Sequence, residues 1–173
     1  DDNDASVGIY CPCDDSGLGV YASFETGSNC PITYWDMETA DPSGNPVDLI
    51  DDNNLVPNGS ISSVVTGMVG DAWEVTSTNQ YFQSVNAYPS ELNGSSAKSI
   101  SMWIDFGTIA EFGGAQQPIF GFGSNGCAGD SFALSYDHDG NNQGHEGLSF
   151  VSCGADLYST YILSPNAWYH LVV

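Results

Sequence analysis

One run of eight residues constrains the fold more than any other. Residues 99–106 read S-I-S-M-W-I-D-F. Ile100, Met102, Ile104 and Phe106 fall on one side, and Ser99, Ser101, Trp103 and Asp105 on the other. A period of two over this length defines a strand with one buried face, because a helix would bring apolar residues together every three or four positions. Turn-rich residues 91–96 precede the run, and Gly/Ala/Gln-rich residues 112–117 break it. The run predicts an inner strand of a β-sandwich, with the other strands laid around it.

The rest of the chain supports that expectation. Strand-like segments lie at 31–37, 47–50, 61–65, 68–75, 80–85, 118–122, 131–136, 147–152, 156–163 and 168–173, separated by turns such as Asp41-Pro42-Ser43-Gly44-Asn45-Pro46. Helical periodicity and internal repeats are absent from the pattern. The expected fold is all-β, an antiparallel two-sheet sandwich of the jelly-roll kind. Residues 131–136 and 147–152 form the expected hairpin. Cys127 and Cys153 flank it on its outer sides, so antiparallel pairing brings them together as a disulfide.

Residues 1–30 differ from the remainder of the chain, being rich in Gly, Ser and Asp and holding Cys11, Cys13 and Cys30. Either Cys11 or Cys13 is placed to pair with Cys30. The segment reads as a cysteine-containing arm or as the end of a preceding small module, with the sandwich occupying 31–173. Five cysteines leave one that is free, intermolecular or bonded outside this sequence.

Charge decides which partners are open to the chain. It has one Lys or Arg against 22 Asp and Glu, a formal net charge of −21. A nucleic-acid surface needs bases to neutralise phosphate, and a polybasic membrane anchor needs the same. Both are excluded, and no apolar run is long enough to insert in a bilayer. The scattered cysteines and acidic, Gly/Asn-rich composition suit an extracellular, secreted or cell-surface protein. The sequons at Asn58 and Asn93 are candidate glycosylation sites in turn-like loops.

An ordered set of short motifs adds a family likeness. Tyr34-Trp35-Asp36 precedes Asp41-Pro42-Ser43-Gly44-Asn45. Ser99–Ile104 (S-I-S-M-W-I), Ile119-Phe120-Gly121, Ser131-Phe132-Ala133-Leu134 and Gly147-Leu148-Ser149-Phe150 come next, and residues 167–173 (A-W-Y-H-L-V-V) come last. From about residue 32 onward the chain resembles the concanavalin A-like jelly-roll superfamily, and laminin G-like domains in particular. In that family further strands come after the W-x-H-V-A-V strand. The resemblance therefore implies that 31–173 is an unfinished sandwich: a fragment of a longer chain, or one completed by a neighbour's strand. His170 occupies the family's W-x-H position, which implies a packed strand residue.

Candidate chemistry is sparse. Asp137, Asp139 and Asn141, with Glu146 beyond, place oxygens at alternate loop positions, as Ca²⁺ prefers; a solvated hairpin tip fits the same residues. Asp36, Asp41, Ser43, Asn45 and Asp48 form a second candidate set, favoured by the rim Ca²⁺ sites of related jelly rolls. A jelly-roll glycosidase needs paired carboxylates flanking the scissile bond. The six Glu residues form no E-x-D-x-E, and Asp36-x-Glu38 is the nearest approach. Tyr81, Tyr88, Tyr158 and Tyr161 flank loops and are candidates for stacking on a ligand, whereas Trp103 and Trp168 are expected to pack. The sequence thus reads as a non-catalytic extracellular structural or adhesive glycoprotein module. Its expected partners are other protein chains or copies of itself. The alternative is a Ca²⁺-dependent carbohydrate-binding module, and a glycoside hydrolase comes third.

Overall fold

A computed structural model describes residues 32–61, 64–77, 79–86, 99–107, 117–123, 132–137, 146–151 and 156–173. The described residues form no helix, and every pairing between strands is antiparallel. The all-β expectation holds. Among the described residues the strands assemble as one four-stranded sheet and four two-stranded ladders rather than as two continuous sheets.

Residues 32–86 carry the small ladders. Strand β1 (Trp35–Ala40) pairs with β2 (Pro46–Asp48), β3 (Leu55–Asn58) with β6 (Tyr81–Ser84), and β4 (Val64–Thr66) with β5 (Asp71–Trp73). Local polar chemistry keeps these strands short. Asp36 Oδ1 accepts the N–H groups of Glu38 and Thr39 at 3.0 and 2.8 Å, and Met37 between them has φ of 65°. This breaks the register of β1 against β2. The Asp41–Asn45 turn is closed in the same way, Asp41 Oδ1 accepting from Ser43 and Asn45. Strand β3 contains Pro57, which masked it in the sequence; a two-stranded ladder tolerates a proline on an edge.

Strand β7 (Ser101–Asp105) lies within the alternating run; burial alternates over Ser101–Ile104, but Asp105 is half-buried too. Among the described residues the strand pairs on one side only, in a two-stranded ladder, rather than as the inner strand expected. Its partner is β12 (Trp168–Val172), with His170 opposite Trp103. The pairing continues past both strands, Val173 and Ile100 exchanging backbone hydrogen bonds of 2.9 Å. The four-stranded sheet runs β11 (Leu157–Tyr158), β10 (Gly147–Val151), β9 (Phe132–Asp137), β8 (Gln117–Phe122). The expected hairpin is present as β9–β10, Ser149 opposite Ser135.

The core sits between these two layers. Tyr136 on β9 is fully buried with Leu163, and Phe106, Ile119, Leu148 and Tyr169 pack against them. The Phe106 and Tyr136 rings lie 5.0 Å apart. Phe132 extends the packing, 4.4 Å from Phe150 and 5.0 Å from Phe122 between ring centroids. Each such side chain contributes about 1.5–3 kcal/mol on burial. The Tyr136 hydroxyl also accepts the Leu163 N–H at 3.1 Å, tying the segment after β11 to the sheet.

That segment departs from the expected strand at 156–163, of which only Leu157–Tyr158 pairs. Ser159 Oγ takes the Tyr161 N–H, a side-chain capture that competes with the ladder. The chain then turns over Gly147, where the carbonyls of Ser159 and Tyr161 fill the space a Cβ would need. Gly147 has φ of 126°, which other residues rarely adopt.

Candidate functional site

The least ordinary surface lies on the outer side of β7–β12. Directly opposed residues of an antiparallel pair share a face. The register therefore gathers Trp168 with Asp105, His170 with Trp103, and Val172 with Ser101. The opposite side carries Met102, Ile104, Tyr169 and Leu171 toward the core. Trp103 and His170, both expected to pack, do so against each other on the outer face. Trp103 is 44% exposed, and His170 is also exposed. Their own alternation with Ser101 and Asp105 puts them there. The rings stack on each other with centroids 4.9 Å apart and planes 26° from parallel. Ser101 Oγ and His170 Nε2 are hydrogen-bonded at 2.9 Å. Asp105 Oδ1 accepts the Gly107 N–H at 2.8 Å, fixing the end of β7. Trp168 is half-buried.

A second feature lies on the four-stranded sheet. Leu134, Leu148, Phe150, Leu157, Tyr158, Ser159 and Val173 line an open groove of about 310 Å³. Among the described residues, no charged side chain lines it. Leu157 at its rim is 67% exposed.

The carboxylate sets are placed differently from one another. Asp36 and Asp41 are each engaged by their own loops. Burial pushes the Asp36 carboxyl up, but the donors of Thr39 and Glu38 outweigh it and hold it below the usual carboxylate range. The backbone N–H of Asn45 leads a set of donors that lowers Asp41. Asn45 Nδ2 also donates to Asp41 Oδ2 at 3.0 Å, and Ser43 contributes its N–H. Asp48 is buried, its Oδ1 accepting from Tyr34 at 2.9 Å and Ile50 at 3.1 Å. Asp137 ends β9, fully buried, and Glu146 is exposed just before β10. Asp139 and Asn141 lie outside the described residues. No group of three or more His, Cys, Asp or Glu placed to hold a metal is found among the described residues.

Asp36 and Glu38, the nearest approach to a glycosidase pair, are engaged at different places. Asp36 caps the β1 bulge, and the Glu38 carboxylate lies over Gly70. Tyr81 stands exposed on β6, Tyr158 donates to Asp156 Oδ2 at 3.3 Å, and Tyr161 packs edge-on to Tyr169 at 6.4 Å. Tyr88, Asn93 and the five cysteines, Cys11, Cys13, Cys30, Cys127 and Cys153, lie outside the described residues. Asn58 closes β3 opposite Tyr81, half-buried.

Sequence reasoning missed the Trp103–His170 pair. The signal was available in part: Trp103 shares its alternation with two serines and an aspartate. The pairing with His170 was not, because nothing local in β7 names β12 as its partner. Comparison with protein-family models, curated proteins and solved structures finds no match.

Proposed function

We propose that this chain is a non-catalytic structural or adhesive module that assembles with other protein chains, copies of itself included, outside the cell. One observation carries the reading: the open, uncharged groove between Leu134, Leu148, Phe150, Leu157 and Val173. In a chain of net charge −21, a contact surface without carboxylates is where a second chain meets least repulsion. An exposed apolar concavity of this kind is suited to an inserted side chain or an added strand. The apolar tip of the β4–β5 hairpin, with Met68 54% and Val69 71% exposed, offers one such insert. The likeness to laminin G-like domains in residues 32–173 agrees with an adhesive role.

Light scattering and negative-stain electron microscopy at 0.1 and 1 M salt test this. Screening shortens the reach of charge from about 10 Å to about 3 Å, so assembly is expected to rise with salt. Leu157→Asp, at an exposed position, is expected to abolish it while leaving the thermal melt in place. Dispersed monomers at every salt concentration would overturn the reading.

A further inference from the structure

We infer that the outer face of β7–β12 is a binding platform for uncharged carbohydrate, with Trp103 as the ring on which a pyranose stacks. The inference stands on this face alone and goes beyond the assembly role, which rests on the groove.

Three properties of the face point to a sugar. First, an indole 44% exposed on the solvent side of a strand leaves apolar surface in water at a position where the pattern calls for a polar residue. Second, that indole is held. The His170 ring packs along it at 4.9 Å, and Ser101 Oγ anchors His170 in turn at 2.9 Å. A fixed aromatic ring loses little entropy when a ligand settles on it. Third, the groups around it are mixed. Ser101, His170 and Asp105 supply hydroxyl, imidazole and carboxylate beside Trp103 and the half-buried Trp168, and Val172 is the one aliphatic member. A pyranose has the matching character, an apolar C–H face for the ring and hydroxyls at the rim for polar neighbours. A protein partner seated by apolar burial would find few aliphatic contacts here.

Charge selects the class of sugar. A chain of −21 with one basic side chain has nothing to offer a sulfate or carboxylate, so acidic glycans are repelled. The fitting ligands are neutral oligosaccharides. The site differs from the loop tyrosines Tyr81, Tyr158 and Tyr161, and it uses no metal ion.

The test uses the full chain, titrated with neutral cello-, xylo-, manno- and galacto-hexaoses and, as an acidic control, heparin. Calorimetry and tryptophan fluorescence are the readouts. At least one neutral hexaose is expected to bind and to shift Trp emission, with heparin inert and EGTA without effect. Trp103→Ala is expected to weaken binding by roughly tenfold or more, the scale of one lost aromatic stack. Trp103→Tyr keeps a stacking ring and is expected to retain most of the affinity, which separates loss of the site from loss of the fold. His170→Ala is expected to weaken binding less, since His170 positions the indole. Absence of binding by all four hexaoses at millimolar concentration would overturn the inference. So would binding indifferent to Trp103→Ala, or binding abolished by EGTA, which would move the site to the acidic loops. A Trp103 that becomes inaccessible to acrylamide on assembly would instead make this face a protein interface.

Discussion

Residues 32–86 and residues 99–173 hold together by different physics. In the second region strands bury large side chains against each other: five of the six buried hydrophobic residues described, Phe132, Leu134, Tyr136, Leu163 and Leu171, lie there. In the first, Ile61 is the sixth. Buried with it are Pro46 and the polar Asp48 and Asn53; the second region buries Ser135, Asp137 and Ser149 as well, so the contrast lies in how many apolar side chains accompany the polar ones. Asp48 accepts two backbone N–H groups, and Asn54 Oδ1 accepts the N–H of Asp48 itself. The Trp35 indole donates to Asn53 O, and the Trp73 indole to Met37 O. At the surface, Gln80 bridges Thr76 and Ser60. Apolar burial is non-directional and tolerates adjustment, whereas a buried polar network depends on every member being satisfied. The two halves should therefore fail under different insults.

The largest expected effect is in the apolar half. Tyr136→Ala removes a fully buried ring and leaves the Leu163 N–H without its acceptor. A loss of about 3–5 kcal/mol is expected in urea unfolding. Amide exchange should quicken across β8–β10 and β12 first. Equal loosening of 32–86 would mean that the halves unfold as one, which breaks the comparison.

Asp48→Ala is the counterpart, smaller in effect. It strips the Tyr34 and Ile50 N–H groups of their acceptor, for about 2–3 kcal/mol in total. The increase in exchange should be confined to β1, β2 and β3. Spread into β9 and β10 would again argue against separate behaviour.

Extremes of pH should sharpen the contrast with the least perturbation. Asp36 and Asp41 have carboxyls held below their ordinary range, so the stability they lend is complete above about pH 4 and is lost as the pH falls through their folded values. Burial pushes the Tyr136 hydroxyl up, with only partial relief from the Leu163 N–H. Its contribution is complete below about pH 10 and is lost as the pH climbs beyond that. Region-resolved exchange should show 32–86 loosening first in acid and 99–173 first in alkali. The reverse order would refute the assignment.

Much of the second region was readable in advance because apolar alternation is a strong signal. The runs at 99–106, 131–136 and 147–152 become β7, β9 and β10, and the hairpin between the last two pairs as expected. The first region was harder because its order comes from side chains bonding to backbone. The D-P-S-G-N turn was recognisable, but oxygen-rich loops look alike whether they converge on a cation or cap their own amides. Asp41 caps its own amides in this structure. Strand β3 hid behind Pro57. The strand expected over 156–163 ended early because a serine hydroxyl and a glycine at another point in the chain intervened. The Trp103–His170 pair needed the register of two strands far apart in sequence.

That separation has a consequence for how the protein is made. Ser101 and His170, which meet through one hydrogen bond, stand 69 residues apart. At about 5–20 residues per second, β7 leaves the ribosome roughly 3–14 seconds before its partner strand exists. Throughout that interval Met102, Ile104 and Phe106 are an apolar strip on a nascent chain with no ladder to join. Loop closure over such a span is slow, and translation of 107–167 is the window in which a holdase chaperone would be most needed.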